Sequence, residues 1–278
     1  MSTTTNKKLA RTIRTTLFYF GAIALCLPPL FVFIWMIMTG LKTGVQNISY
    51  PPEFIFTPTL ENFKAVFDQY NFLQYLMNSL IIATLATGVS LVLGLPAAYS
   101  IAKYRQGKIG LLVLVARMTP FVSYLLPWYI IFRYLRLIDS YTALTITHLI
   151  ITMPMVIWLM VSFFENMPHE LEDAAMIDGC SRWQSFRLIV LPLMRNGIAT
   201  SAIMAFIFSW NQFLFSLILS GPKTKTVPVA VYNFISYGKI DWAGIGAAAT
   251  LIVLPVSIFA FFVRKSIVQG LTMGALKD

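Results

Sequence analysis

The residues with most to offer chemically lie in one acidic stretch, Glu165 to Gly197, of a chain otherwise poor in charge. Five of the eleven acids fall there: Glu165, Glu170, Glu172, Asp173 and Asp178. Neither His148 nor His169 has a second histidine, cysteine or carboxylate at ligand spacing, and Cys26 and Cys180 make no disulfide or metal pattern. No nucleophile–base pair stands out, and the sequence has no Gly-x4-Gly-Lys-Ser/Thr phosphate loop. Recognition, not catalysis, is what these residues suit. Pro168 fits the first turn of a helix, where its missing N–H is unneeded. Glu170, Glu172 and Asp173 then sit at the positive end of the helix dipole. Gly179 can close that helix in a left-handed cap, and Ser181 with Gln184 forms a capping box for a second helix. That second helix carries Trp183, Phe186, Ile189 and Val190 on one face and meets Pro192. Small Ala174 and Ala175 let a partner approach closely, while the acids and Arg182 supply directional contacts. From the residues alone, this elbow reads as well as a solvated linker as it does as a docking knob.

Arg117 is the one formal charge inside the apolar stretches, so it is either paired structurally or part of a pathway or gate. Trp210 and Asn211 offer a stacking face and an amide. That suits a sugar, and it suits an amide bonding to a neighbouring helix equally well. Tyr124, Trp128 and Tyr129 fit an interfacial aromatic belt.

The elements that must hold these residues are set by composition. Of 278 residues, 58% are hydrophobic and 12% charged, where a soluble domain averages roughly 25% charged. Lipid is the fitting solvent. A hydrocarbon core about 30 Å thick needs roughly 20 apolar residues per helix. Six stretches qualify: Leu17–Met38, Leu80–Ile101, Ile109–Phe132, Leu144–Phe164, Ile198–Leu219 and Trp242–Val263. They are continuously apolar, without the alternation of a β-barrel. With both termini in the cytoplasm, 13 Lys/Arg lie inside and 7 outside, as the positive-inside rule favours. The net charge of +10 therefore reads as orientation, and no nucleic-acid partner is expected. The organisation expected is a cytoplasmic N-terminus (1–16), a first span (17–38), an external segment (39–79), a five-helix core (80–263) with the loop 165–197, and a cytoplasmic tail (264–278). In the external segment, Thr59 can cap a short helix carrying Leu60, Phe63, Val66 and Phe67.

Asp173-Ala174-Ala175, Gly179 and Ile189-Val190-Leu191-Pro192 resemble the Glu-Ala-Ala-x3-Gly-x9-Ile-x-Leu-Pro signature of binding-protein-dependent ABC importer permeases, with Asp for Glu at 173. Asn78-Ser79, Pro96-Ala97-Ala98-Tyr99, Trp210-Asn211-Gln212-Phe213 and the tail Gly270-Leu271-Thr272-Met273-Gly274-Ala275 resemble the smaller permease of the maltose-transporter type. The resemblance implies an all-α, six-span type I importer permease in a bacterial inner membrane, for a sugar or polyol. It implies a coupling helix built on Glu172, Asp173, Ala174, Ala175, Asp178, Gly179 and Pro192, seated in a cytoplasmic ATPase. It also implies that Gly270, Leu271, Thr272 and Gly274 touch that ATPase. The partners implied are a second permease, two ATPase subunits and an external solute-binding protein. ATP and Mg would be bound by the ATPases, with no cofactor or metal on this chain. The rival is an ion-coupled secondary transporter, which usually shows repeats and membrane-embedded coupling charges; six spans with one embedded Arg and no embedded acid argue against it.

Overall fold

The computed structural model describes residues 2–168, 170–236 and 239–275, with the backbone alone at 2–12, 233, 236, 239, 259–260 and 262–275. The chain divides into two compact units. The larger runs from Asn71 to Tyr232 and resumes at Ile252; the smaller comprises the chain up to Tyr70 and the stretch from Asn233 to Leu251.

In the larger unit, α4 (Phe72–Lys103) packs along α7 (Tyr141–Glu165), and α11 (Arg195–Trp210) lies against both. The helices approach closely because α4 presents Ala86, Ser90, Gly94 and Ala98, spaced four apart and all buried. Without a hydrophobic drive between helices in lipid, such small residues and polar pairs hold the contact. Ser90 and Thr152 share a hydrogen bond of 2.6 Å across α4 and α7. His148 lies 2.7 Å from the Ser209 hydroxyl through Nδ1 and 3.4 Å from Ser216 through Nε2. It thus grips both sides of the gap between α11 and α12 (Leu214–Leu219).

Two apolar stretches expected as single spans are broken. In place of Ile109–Phe132 stand α5 (Gly107–Met118) and α6 (Val122–Tyr134), bent by 88°. Pro120 causes the break, because it lacks an N–H and pushes Thr119 out of the helical region to ψ 130°. A second bend of 78° separates Arg182–Leu193 from α11. In place of a continuous Ile198–Leu219, α11 ends at Trp210 and α12 begins at Leu214. Among the described residues, three helices (Ile13–Leu41, Phe72–Lys103 and Tyr141–Glu165) are each long and apolar enough to cross a bilayer, and up to five spans result if each bent pair counts as one.

The smaller unit holds α1 (Ser2–Leu41), α2 (Gly44–Ile48), α3 (Glu61–Tyr70), a two-stranded ribbon of β1 (Ile235–Ser236) and β2 (Lys239–Ile240), and the start of α14 (Trp242–Ala275). The expected helix after Thr59 is present, and the Thr59 hydroxyl accepts the Glu61 N–H at 3.2 Å. Lys42 is buried, with its ammonium 4.9 Å from the Trp35 ring and 5.1 Å from Phe56. From Ile13 to Ile34 the side chains of α1 are exposed; Phe20 is 72% exposed and Leu25 79%. Such a surface requires lipid or a partner helix.

Gly40 and Gly246 set backbone against backbone: a Cβ on Gly246 would meet the Gly40 nitrogen at 2.6 Å. We expect Gly246→Val to cost about 1–3 kcal/mol through forced displacement of α1 from α14. Thermal unfolding in detergent checks this; an unchanged melting temperature would show that the contact is dispensable.

Candidate functional site

The acidic stretch folds as an elbow. Its first arm is α8 (Glu170–Ile177). Gly179 ends it at φ +91°, a backbone region open to glycine. The Cys180 N–H donates to the Ala175 carbonyl at 3.0 Å and the Gly179 N–H to Met176 at 3.1 Å, the paired bonds of a Schellman cap. The second arm begins with the capping box foreseen from sequence. The Ser181 N–H donates to Gln184 Oε1 at 2.8 Å, and the Gln184 N–H donates to Ser181 Oγ at 3.3 Å. The arm continues through α9 (Arg182–Ser185), a π-helical segment (Phe186–Val190) and α10 (Leu191–Leu193). Pro192 lacks the N–H that an α-helical turn would direct at Leu188, and the wide turn just before it absorbs the mismatch.

The faces of the elbow separate. Asp173, Ala174, Asp178 and Gly179 are exposed, while Ala175 is buried. Leu171 (45%), Ile177 (86%) and Trp183 (62%) add apolar surface to the exposed side. Buried Phe186 and Val190 join Leu95, Ala98, Val156 and Met160 in one core cluster, fixing the second arm to α4 and α7.

The resemblance implies that Glu172 is one of the outward coupling contacts, but it points inward with a nearly buried side chain. Its carboxylate accepts from the Tyr99 hydroxyl and forms an ion pair with the Lys103 ammonium. Lys103 also donates to the Tyr99 hydroxyl at 3.0 Å. The Tyr99 ring packs on Phe186 with centroids 4.8 Å apart and edge-on to Phe164 at 5.8 Å. Arg182 adds a bond to the Tyr104 hydroxyl. Both arms are therefore latched to the end of α4. Tyr99 and Lys103 escaped the sequence reading as a pair, although their spacing of four on one helix was the available signal.

Other predicted residues lie elsewhere. Arg117 lies in the last turn of α5 with its guanidinium 5.6 Å from the ring centroid of Trp158 on α7. Trp210 is buried beside Phe206 and donates to the Ile252 carbonyl at 3.3 Å. Asn211 caps α11 and donates back to Ile207 at 2.9 Å, so its amide serves its own helix. Gly270, Leu271, Thr272 and Gly274 lie on the α14 backbone, with side chains outside those described; His169 and Lys277 are outside the described residues. Among the described residues no cluster of His, Cys, Asp or Glu could hold a metal ion.

At the opposite end of α7 a polar brace holds the loop after α12. Asp139 Oδ1 accepts the Gly221 and Thr224 N–H groups at 2.9 Å and the Thr224 hydroxyl at 2.7 Å, while Oδ2 accepts the Lys223 N–H at 3.1 Å. Asn78 donates to the Lys223 and Lys225 carbonyls at 2.9 Å, and Ser79 accepts from Val227. Partial burial pushes the Asp139 carboxyl up, but the Thr224 hydroxyl and the three backbone donors outweigh it and hold it below the ordinary carboxylate range. A depressed carboxyl adds stability that is present above its unfolded pKa and lost as pH falls through its folded value. We expect wild-type melting temperature to fall on acidification below the usual carboxylate pKa, and Asp139→Asn to flatten that slope. An identical acid slope in the variant would remove Asp139 from the brace.

With this geometry in view, residues 90–273, which include the latch and the whole elbow, match the model of the family described as "Binding-protein-dependent transport system inner membrane component". The chain belongs to this family. Among relatives of this permease, the sulfoquinovosyl glycerol transport system permease protein SmoH of Agrobacterium fabrum is 35% identical over 265 residues, covering 93% of each chain. The trehalose/maltose transport system permease protein MalG of Thermococcus litoralis is 33% identical, covering 95% of this permease and 98% of the relative. A solved bacterial ABC transporter involved in import of the acidic polysaccharide alginate shares the fold, with TM-score 0.74 and 20% identity over 94% of this chain and 97% of that one. The protein is thus a multi-pass permease subunit of the ABC importer class, and binding-protein-dependent transport replaces the ion-coupled alternative.

Proposed function

We propose that this permease forms half of a sugar or polyol pathway in the bacterial inner membrane and that its elbow, residues 165–197, seats in a cytoplasmic ATPase. The observation that carries the reading is the elbow itself: exposed Asp173, Ala174, Asp178 and Ile177 on a capped helix whose other side is latched to α4. A knob anchored in this way transmits a push to the transmembrane core as a rigid body. In this reading the chain crosses the bilayer six times, α5–α6 and the α11–α12 region counting as broken spans, with both termini cytoplasmic. The segments are those set out from sequence: 1–16, 17–38, 39–79, the core 80–263 and the tail 264–278. Gly270, Leu271, Thr272 and Gly274 lie against the ATPase. ATP and Mg belong to two ATPase subunits, a second permease completes the pathway, and an external binding protein delivers the solute. Support for a sugar comes from the substrates named for relatives in two organisms.

Uptake into proteoliposomes holding the assembled complex tests this. Sugar accumulation should require both ATP inside and the binding protein outside. Accumulation by this chain alone, driven by a membrane potential, would contradict it.

A further inference from the structure

A cavity of about 680 Å³ opens where α4 and α7 end and α5 begins. That volume lies within the roughly 300–1,000 Å³ of small-molecule sites. Ile101, Leu111, Leu114, Ile157 and Val161 make its walls apolar, and Trp158 contributes its indole. Two opposite charges, Arg105 and Glu165, line the same cavity. Among the described residues neither side chain has a hydrogen bond or ion pair. Gln106 leaves the N-terminus of α5 without a side-chain cap, so a positive helix end lies beside Arg105.

We propose that this cavity binds a phosphatidylethanolamine molecule. The helix ends place its rim at one membrane face. A lipid in that position has its phosphate at Arg105 and the α5 N-terminus, its primary ammonium at Glu165 and an acyl chain along the apolar walls. The ammonium has three N–H donors for the Glu165 carboxylate. Phosphatidylcholine has the same phosphate and no such donor, and phosphatidylglycerol leaves Glu165 facing an uncharged headgroup. The paired charges therefore favour the ethanolamine headgroup over both.

Native mass spectrometry of the full chain, delipidated with the subunits that co-purify and titrated with dioleoyl lipids of the three headgroups, tests the site. Phosphatidylethanolamine should bind about tenfold more tightly than phosphatidylcholine, the scale of one charge-assisted hydrogen bond. Glu165→Gln should remove that preference, and Arg105→Gln should weaken both lipids. A Cβ at Gly110 meets Ile101 at an ordinary 3.6 Å, so Gly110→Phe should fill the cavity and abolish the adduct with the melting temperature retained. Equal binding of all three lipids, a preference for phosphatidylglycerol, or no bound lipid because a partner helix covers the cavity would each overturn the proposal.

Discussion

Asp173→Arg and Gly179→Arg are expected to abolish ATP-driven uptake while the permease still inserts in the membrane. Asp173 is exposed and supports no core contact, so its reversal acts on whatever the elbow meets. A buried charge mismatch at the centre of an interface costs at least about 2 kcal/mol and often more, and each 1.4 kcal/mol is tenfold in affinity. Gly179 adds a local effect. At φ +91° a side chain is strained by about 1–3 kcal/mol, which would unwind the Schellman cap and swing the two arms apart. Nothing lies within 4 Å of a Cβ placed there, so the chain itself sets no steric bar. Uptake and ATPase co-purification are the readouts. Normal values of both in the Asp173 variant would mean that the elbow docks nowhere.

The second large effect is expected at the latch. Lys103→Glu or Glu172→Lys alone should uncouple ATP hydrolysis from uptake, and the double exchange should restore much of it. Removing one member of a buried pair costs about 3–5 kcal/mol, because the other charge is left without compensation. The lower end applies here, since the Lys103 side chain keeps 18% exposure while Glu172 keeps 3%. Tyr99→Phe deletes only the hydroxyl that donates to Glu172 and should give a milder defect, about 1–3 kcal/mol. A latch that merely stabilised the fold would lower hydrolysis and uptake together. Continued hydrolysis with uptake lost is the signature of broken transmission. Failure of the double exchange to rescue would show that the two residues do not act as a pair.

The local chemistry of the elbow was legible because it is written in neighbours. Gly179 and the Ser181–Gln184 box need only short-range rules, and both formed as those rules require; of the apolar face Trp183, Phe186, Ile189 and Val190, only Phe186 and Val190 reach the core, while Trp183 is exposed. The breaks differ in how they are marked: Pro120 stands at one, whereas the gap at Asn211–Phe213 has no proline or glycine. The orientation of Glu172 was hidden. Three adjacent acids look alike in sequence, and only the fold, by bringing Lys103 and Tyr99 from 69 and 73 residues away, sets one of them inward. Trp210 was ambiguous for the same reason, since its carbonyl partner Ile252 belongs to a helix 42 residues further on.

The decisive measurement is protection of a single cysteine at Ile177, which is 86% exposed, in a background with Cys26 and Cys180 replaced by serine. In inside-out membrane vesicles a membrane-impermeant maleimide should label Ile177→Cys rapidly when the permease is expressed without its ATPase, and slowly once the ATPase is bound. Equal, rapid labelling in both preparations would contradict seating of the elbow in an ATPase.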